Sequence, residues 1–212
     1  MRSSFSDIDS IIFDMDGTLW NATESYAKVW NRTCEHFGIE ASFTGIDLVR
    51  YMGMSIKSIM EHLLGCEMLV DKTLFLEKLG EHEALMMPTL GGVLYPGTLE
   101  GLERLHESHR LFMLSNCSAS GLRNFVNYTH TAHLFEGLLT QGERPVSKSE
   151  NLRYMMDHYS LRAPVYVGDT QDDCDQAHEA GVAFVHAGWG FGDCRDADGR
   201  FDSMQSFVQA MI

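Results

Sequence analysis

The sequence predicts an α/β fold, a Rossmann-like doubly wound parallel sheet whose chain is interrupted by one inserted α-helical subdomain. Three observations favour this fold: short apolar runs that end at polar residues, amphipathic stretches between those runs, and one long stretch of helical character. A chain of 212 residues is long enough for one well-buried domain with a modest insertion. Its 44% hydrophobic and 22% charged residues are typical of a globular protein.

Four short apolar runs have the composition of buried strands. They occupy residues 11–13, 111–114, 165–167 and 182–185. Stretches with apolar residues at every third or fourth position, which predict helices, occupy residues 98–108, 121–128, 149–159 and 172–180. Alternating strands and helices indicate a parallel sheet covered on both faces, and such sheets bind ligands at the carboxyl ends of their strands. We therefore expect the polar residues that follow the runs to converge on one site.

The insertion is predicted from about eighty residues after Leu19 that have helical rather than strand character. Its helix-like stretches are residues 23–37, 55–64 and 70–87. Gly91-Gly92 and Tyr95-Pro96-Gly97 indicate turns that lead back to the main domain. We assign residues 1–20 and 91–212 to the α/β core and residues 21–90 to the insertion.

The composition disfavours several kinds of partner. A formal net charge of −14 disfavours binding to nucleic acid or to an anionic membrane. The cysteines are scattered without a CxxC pair, so neither a disulfide framework nor a zinc site is indicated: Cys34, Cys66, Cys117, Cys174 and Cys194. The N-terminus lacks the apolar stretch of a signal peptide, and no segment approaches the roughly 20 apolar residues of a membrane span. We expect a soluble, cytoplasmic protein, and no sequence pattern specifies its oligomeric state.

The strongest chemical signal is Asp14-Met15-Asp16-Gly17-Thr18-Leu19, directly after the first apolar run. Two carboxylates two residues apart can face one reacting group, so that one attacks and the other exchanges a proton. So short a pattern is equally typical of a solvated turn. A calcium loop is disfavoured because Leu19 and Trp20 replace further oxygen ligands.

Polar residues also follow two later runs. Ser115 and Asn116 follow the second run, and Gly168-Asp169-Thr170-Gln171-Asp172-Asp173 follows the third. Carboxylate oxygens at the latter position suit Mg²⁺. Acidic residues also stabilise the first turn of a helix without any metal, so capping is the competing explanation for Asp172 and Asp173.

The motif that begins at Asp14 resembles the first motif of the haloacid dehalogenase-like phosphohydrolases. Ser115, at the end of a strand, is similar to the second motif of that family, and Lys148 is similar to the third. The family spacing Gly-Asp-x-x-x-Asp selects Asp169 and Asp173 as the fourth. All four motifs occur in the family order, so the resemblance covers nearly the whole chain.

The third motif departs from the family pattern. A Lys-Pro pair is frequent there, and Arg144-Pro145 offers a competing register. We assign the motif to Lys148 because the other register contains no lysine.

The resemblance implies a Mg²⁺-dependent phosphatase that hydrolyses a small phosphorylated metabolite through an aspartyl-phosphate on Asp14. Asp16 would protonate the leaving alcohol and then activate water. Asp14, Asp169 and the main-chain carbonyl of Asp16 would ligate Mg²⁺, and Asp173 would orient a metal-bound water or the lysine. The expected phosphate-binding groups are backbone amides and the side chains of Ser115, Asn116 and Lys148.

The insertion resembles the helical cap of the phosphoglycolate phosphatase-like branch. Within it, Arg50 and Gly53 are predicted to reach the substrate, because a cation attracts an anionic ester and a glycine permits close backbone approach.

Two other functions remain open. A phosphosugar mutase has the same acidic residues but tends to carry Asp-Thr soon after the first motif, where this chain has Trp20-Asn21-Ala22-Thr23. A phospho-accepting receiver domain, which acts by binding a partner, lacks a helical insertion of this kind. Hydrolysis is therefore favoured.

Overall fold

The computed structural model of the chain describes residues 7–65 and 71–212, and its central element is a parallel sheet. The strands in chain order are β1 (Ser10–Phe13), β2 (Trp20–Asn21), β3 (Val93–Leu94), β4 (Arg110–Ser115), β5 (Gly137–Thr140), β6 (Pro164–Gly168), β7 (Ala183–Ala187) and β8 (Gly199–Phe201). Six of them form the sheet in the order β5-β4-β1-β6-β7-β8, with every neighbouring pair parallel.

The helices in the described residues lie before, between and after these strands. They are α1 (Thr23–His36), α2 (Gly45–Val49), α3 (Ile56–Leu64), α4 (Lys72–Leu90), α5 (Thr98–His106), α6 (Gly121–Thr129), α7 (Lys148–Tyr159), α8 (Gln171–Ala180) and α9 (Met204–Met211). A short 3₁₀ helix covers Ala132–Leu134. Helix α4 begins two residues later than predicted, and Val70 lies outside the described residues.

The sheet is buried on both faces, as its continuous apolar strands predict. Successive residues of β1 point to opposite faces of the sheet and pack in two separate apolar clusters. Phe13 packs in one cluster, edge-on to Phe207 of α9, and Ile12 packs in the other. Helices α5 and α9 pack together, as do α7 and α8. The predicted doubly wound α/β fold is confirmed.

The register brings the ends of the central strands together. Phe13 of β1 is paired with Met113 of β4 on one side and with Val167 of β6 on the other. The residues that follow these three positions therefore meet at one edge of the sheet. The strands β5 and β8 were not predicted, because their runs are too short to stand out from loops.

Helices α1 to α4 lie between β2 and β3, where the insertion was predicted. Trp20 and Asn21 of β2 pair antiparallel with Leu94 and Val93 of β3. Helix α1 packs on α4, with the rings of Trp30 and Phe75 5.9 Å apart, and α4 packs on α6 of the main domain. The division at residues 20 and 91 stays a prediction.

Two further predictions concern membranes and cysteines. Within residues 7–65 and 71–212, no helix has both the length and the apolar composition required to cross a bilayer. Cys34, Cys117, Cys174 and Cys194 are free thiols, and Cys66 lies outside the described residues.

Candidate active site

Three carboxylates converge at the carboxyl ends of β1 and β6. Asp14 follows β1, Asp169 follows β6, and Asp173 lies in the first turn of α8. One oxygen from each lies within 4.8 Å of the others, and all three side chains are buried. The adjacent strands fix this arrangement, because the Asp14 N–H donates a 2.8 Å hydrogen bond to the carbonyl of Val167.

Lys148, the first residue of α7, reaches this cluster with its ammonium group. Its Nζ donates to Asp14 Oδ1 at 3.2 Å and also contacts Asp173 Oδ1. Burial alone would lower the pKa of Lys148, but the negative charges of Asp14 and Asp173 outweigh burial and hold that pKa well above its ordinary value. The lysine is therefore a permanent cation inside the cluster.

One ammonium does not balance three buried carboxylates. Burial raises the pKa of Asp14 to about 6, against the opposing effect of Lys148. Burial, with the charges of Asp173 and Asp14, raises the pKa of Asp169 to about 8. The pKa of Asp173 is lowered, because Lys148 and the hydrogen bonds from Thr170 outweigh its burial. Buried oxygen donors with surplus negative charge fit a divalent cation of the Mg²⁺ type.

The carboxylate of Asp16 is separate from this cluster. Trp20 Nε1 donates to Asp16 Oδ1 at 2.9 Å, and the Tyr26 hydroxyl donates to Oδ2 at 3.3 Å. Burial and the charge of Asp14 raise the pKa of Asp16 well above its ordinary value. A carboxyl group in this position is able to hold a proton.

Gly17 joins the first motif to Asp169. Its φ is +85°, and a Cβ atom at this position would overlap Asp169 Oδ2. Both the backbone conformation and the close approach require glycine here. The glycine therefore allows the two acidic segments to pack directly against each other.

A pocket opens from Asp14 and Asp16 towards the inserted helices. Ser115, the last residue of β4, lines it together with Asn116. The Asn116 amide donates a 2.8 Å hydrogen bond to the carbonyl of Gly53, in the loop between α2 and α3. The predicted site residues Ser115, Asn116 and Gly53 therefore lie beside the acidic cluster.

Arg50 is the one predicted site residue that neither belongs to the acidic cluster nor lines the pocket. Its side chain is exposed, and the guanidinium lies 5.6 Å from the centre of the Tyr51 ring. The prediction followed from its charge and its position three residues before Gly53, but Arg50 ends α2 on the side that faces solvent. The described pocket lining includes Met52 and Met54 of the same loop instead.

Several polar groups at the site were missed by the sequence analysis. The hydroxyl of Tyr166, in β6, lies 3.4 Å from Asp14 Oδ1 and donates to the carbonyl of Leu114. The N–H groups of Phe191 and Gly192 donate to Asp169 Oδ2 at 2.7 and 3.3 Å. The alternate glycines of residues 188–192 were an available signal for the second contact, since they permit close backbone approach.

A buried acid of the insertion was also missed. Glu83 of α4 lines the same pocket and accepts a 2.6 Å hydrogen bond from the hydroxyl of Ser118. Its spacing was an available signal, since Glu83 lies four residues after Leu79 and four before Met87 on the buried side of α4.

Comparison with known proteins agrees with this geometry. Residues 11–187 match the family model for haloacid dehalogenase-like hydrolases. A phosphoglycolate phosphatase of Aliivibrio fischeri is 26% identical over 195 residues, covering 84% of this chain and 82% of the relative. A phosphoglycolate phosphatase of Colwellia psychrerythraea is 28% identical over 195 residues, covering 85% and 84% of the two chains.

Solved structures are similar over almost the whole chain. The crystal structure of a predicted phosphoglycolate phosphatase from Haemophilus somnus 129pt has a TM-score of 0.80 at 21% identity and covers 97% of this chain and 98% of the other. That of a predicted phosphatase from Clostridium acetobutylicum has a TM-score of 0.81 at 16% identity, covering 95% and 97%. At these identities the structural matches establish the fold, whereas the family model covers most of the chain and includes the residues of the acidic cluster. The predicted family is therefore confirmed: this chain belongs to the haloacid dehalogenase-like hydrolases.

Proposed function

We propose that this hydrolase is a Mg²⁺-dependent phosphatase that acts on a small phosphorylated metabolite through an aspartyl-phosphate intermediate. The observation that carries the proposal is the position of Asp14: its carboxylate is buried beside the ammonium of Lys148, 3.2 Å away, and lines the same pocket as Asp16. The names of the two phosphoglycolate phosphatase relatives support the reaction class. The cytoplasm remains the predicted location.

In the first step Asp14 attacks phosphorus, the bond from phosphorus to the leaving oxygen breaks, and the phosphoryl group becomes attached to Asp14. Asp16 donates a proton to the leaving oxygen. In the second step Asp16 takes a proton from water, which attacks phosphorus and releases inorganic phosphate and free Asp14. The raised pKa of Asp16 supports this double role, because the first step requires its protonated form.

Charge stabilisation would come from groups around Asp14. Lys148, the Ser115 hydroxyl and the Asn116 amide are proposed to bind the phosphoryl oxygens. Asp14, Asp169, the main-chain carbonyl of Asp16 and Asp173 are the groups proposed to hold Mg²⁺, which when bound neutralises negative charge on both the aspartates and the phosphoryl group. Asp173 also contacts Lys148, so it is proposed to orient that ammonium.

A phosphosugar mutase is the second candidate on the same fold, since it would use the same acidic residues. The stretch after the first motif supports hydrolysis instead: Asn21 Oδ1 accepts hydrogen bonds from the N–H and hydroxyl of Thr23, so this segment serves to begin α1. A receiver domain is disfavoured by helices α1 to α4, which lie between β2 and β3.

The proposal is tested by phosphate release from 4-nitrophenyl phosphate with and without Mg²⁺. We expect release to stop on addition of a chelator and in Asp14→Asn, and to continue in Asp172→Asn. Asp172 is a matched control because it is an exposed carboxylate one residue from Asp173. After a rapid acid quench, a phosphoryl adduct should be found by mass spectrometry on the peptide that contains Asp14. Absence of release from any phosphoester would overturn the phosphatase proposal, and conversion of a phosphosugar to its isomer without release would favour the mutase.

A further inference from the structure

Glu83 is a buried carboxylate that the proposed mechanism does not use. It lies on α4, in the insertion, and only 3% of it is exposed. Among residues 7–65 and 71–212, the Ser118 hydroxyl is its one hydrogen-bond donor, on Oε1, and Oε2 has none. A mostly buried carboxylate with one donor has an oxygen left to accept a hydrogen bond from a group in the pocket. Burial raises the pKa of Glu83 to about 7, which agrees with this shortage of partners.

The pocket that contains Glu83 is otherwise apolar on the side of the insertion. Its apolar lining includes Val29, Trp30, Met52, Met54, Ile56, Ile59 and Leu79. The titratable carboxylates that line it are Asp14, Asp16 and Glu83, and its described lining contains no Lys, Arg or His. Lys57 lies in the adjoining outer groove and is exposed, so solvent screens its charge.

These features define which leaving group is complementary to the pocket. A leaving group that ends in a carboxylate would lie between apolar walls and two acids, Asp16 and Glu83, without a cation to neutralise it. A leaving group with a short carbon chain and an O–H or N–H donor would contact the apolar walls and give Glu83 its missing hydrogen bond. Buried polar groups of this kind discriminate strongly, because an analogue without the donor leaves them unpaired.

We propose, on the basis of the phosphatase function above, that Glu83 accepts a hydrogen bond from a hydroxyl or ammonium group of the substrate, and that the pocket rejects leaving groups ending in a carboxylate. The substrate class is therefore a phosphoester of a small polyol or amino alcohol. It differs from the substrate in the names of the two relatives, phosphoglycolate, whose leaving group ends in a carboxylate. The physical difference between the esters is the charge at the end that faces Glu83.

Three esters of the same length test the proposal: 2-hydroxyethyl phosphate, O-phosphoethanolamine and 2-phosphoglycolate, which end in a hydroxyl, an ammonium and a carboxylate. With Mg²⁺, kcat/KM for at least one of the first two should exceed that for 2-phosphoglycolate by about tenfold or more, the effect of one lost charged hydrogen bond. The variant Glu83→Gln keeps an acceptor for Ser118 and removes the charge. It should lower kcat/KM for O-phosphoethanolamine most and raise that for 2-phosphoglycolate. Lys57→Ala is the control from the outer groove and should preserve the order of the three esters.

A faster reaction of wild-type protein with 2-phosphoglycolate than with either other ester would overturn the inference, as would an equal effect of Glu83→Gln on all three. Calorimetric titration of the three esters into Asp14→Asn gives the preference of the pocket without turnover. If no ester is hydrolysed but O-phosphoethanolamine or 2-hydroxyethyl phosphate binds more tightly in a Glu83-dependent manner, the phosphatase proposal fails and the assignment of the pocket stands. If 2-phosphoglycolate binds most tightly, the assignment of the pocket fails.

Discussion

The ammonium of Lys148 lies 3.2 Å from Asp14 Oδ1 and also contacts Asp173 Oδ1, so it joins the end of β1 to the first turn of α8. The contact depends on the start of α7 at Lys148, where Ser147 caps the helix by accepting a hydrogen bond from the Glu150 N–H. The cap thus fixes the position from which the lysine extends. Two separate helix beginnings therefore hold Lys148 and Asp173, whereas the proposed nucleophile Asp14 follows β1.

Removal of the Lys148 charge should affect both activity and stability. We expect Lys148→Ala to lower kcat by about a hundredfold or more, the effect of losing one charge-stabilising donor. Because it leaves buried carboxylates without their cation, it should also lower the free energy of unfolding by about 3–5 kcal/mol. Steady-state kinetics and denaturant unfolding check these two effects, and Lys148→Met, which retains most of the side-chain volume, separates the loss of charge from the loss of packing.

Arg144→Ala is the control for this prediction, since Arg144 belongs to the competing register of the third motif. Its guanidinium lies 4.7 Å from the centre of the Tyr154 ring and donates to Asn151 Oδ1, away from Asp14. We expect kcat to change by less than about threefold, because Arg144 contacts neither the acidic cluster nor the pocket. A larger loss in Arg144→Ala than in Lys148→Ala would move the assignment to Arg144.

The proton donor is tested by the dependence of the rate on the leaving group. Asp16→Asn should lower kcat/KM for an alkyl phosphate by about a hundredfold or more, because an alkoxide is a poor leaving group without a proton. The loss should be much smaller for 4-nitrophenyl phosphate, whose leaving group needs no proton. Since kcat/KM covers the steps up to the first irreversible one, it reports on the formation of the aspartyl-phosphate. Equal losses for the two esters would contradict the proposed role of Asp16.

Gly17 offers a test of the close packing between the first motif and Asp169. Gly17→Ala must displace Asp169 or Phe191, so we expect weaker activation by Mg²⁺ and a fall in kcat/KM of about tenfold or more, as small displacements in an active site commonly cause. Gly181→Ala is a matched control: its φ is +79°, and a Cβ atom there would have no neighbour within 4 Å. Both variants carry a backbone strain of about 1–2 kcal/mol, visible in thermal unfolding. Equal activity in the two variants would show that the contact with Asp169 is unimportant.

Glu83 should make the stability of the protein depend on pH. Burial raises its pKa from 4.5 to about 7, so the folded state holds the proton more tightly than the unfolded state. The resulting penalty is absent below pH 4.5, grows as the pH rises, and is complete above pH 7. Glu83→Gln removes a penalty of up to about 3 kcal/mol, since each pKa unit corresponds to about 1.4 kcal/mol.

The measurement is the free energy of unfolding of wild type and Glu83→Gln at pH 5 and pH 8. The free energy of unfolding of Glu83→Gln, relative to that of wild type, should rise from pH 5 to pH 8. Glu103→Gln, which removes an exposed carboxylate of α5, supplies the baseline. Suppose that Glu83→Gln and Glu103→Gln change the free energy of unfolding by the same amount at both pH values. Burial then does not perturb the pKa of Glu83.

The sequence was sufficient to predict the strands that carry the acidic cluster and the residues that follow them. Asp14 and Asp169 were predictable because parallel strands bring their carboxyl ends to one edge, and the register of β1 with β6 does this. Tyr166, by contrast, lies within a strand, where an aromatic residue usually packs in the core and does not indicate a functional site. Only its pairing beside β1 directs its hydroxyl towards Asp14.

The insertion was less predictable in its details than the sheet. Its helical character follows from periodicity, but the side of a helix that faces the pocket depends on how the helices pack. For that reason the charge of Arg50 suggested a place at the pocket, whereas its side chain is exposed, and the charge of Glu83 obscured a buried position. The spacing of Glu83 with Leu79 and Met87 indicates the buried side of α4, but only tertiary packing shows that this side lines the pocket.

The antiparallel pairing of β2 with β3 bears on how far the inserted helices can be changed without disturbing the sheet. Because Asn21 and Val93 are partners across that pair, the chain leaves the sheet domain and returns to it at points only about 5 Å apart. A segment whose two ends already meet can be lengthened, shortened or replaced at small entropic cost. Exchange of the segment at this junction would alter the pocket while Asp14 and Asp169 keep their places at the ends of β1 and β6.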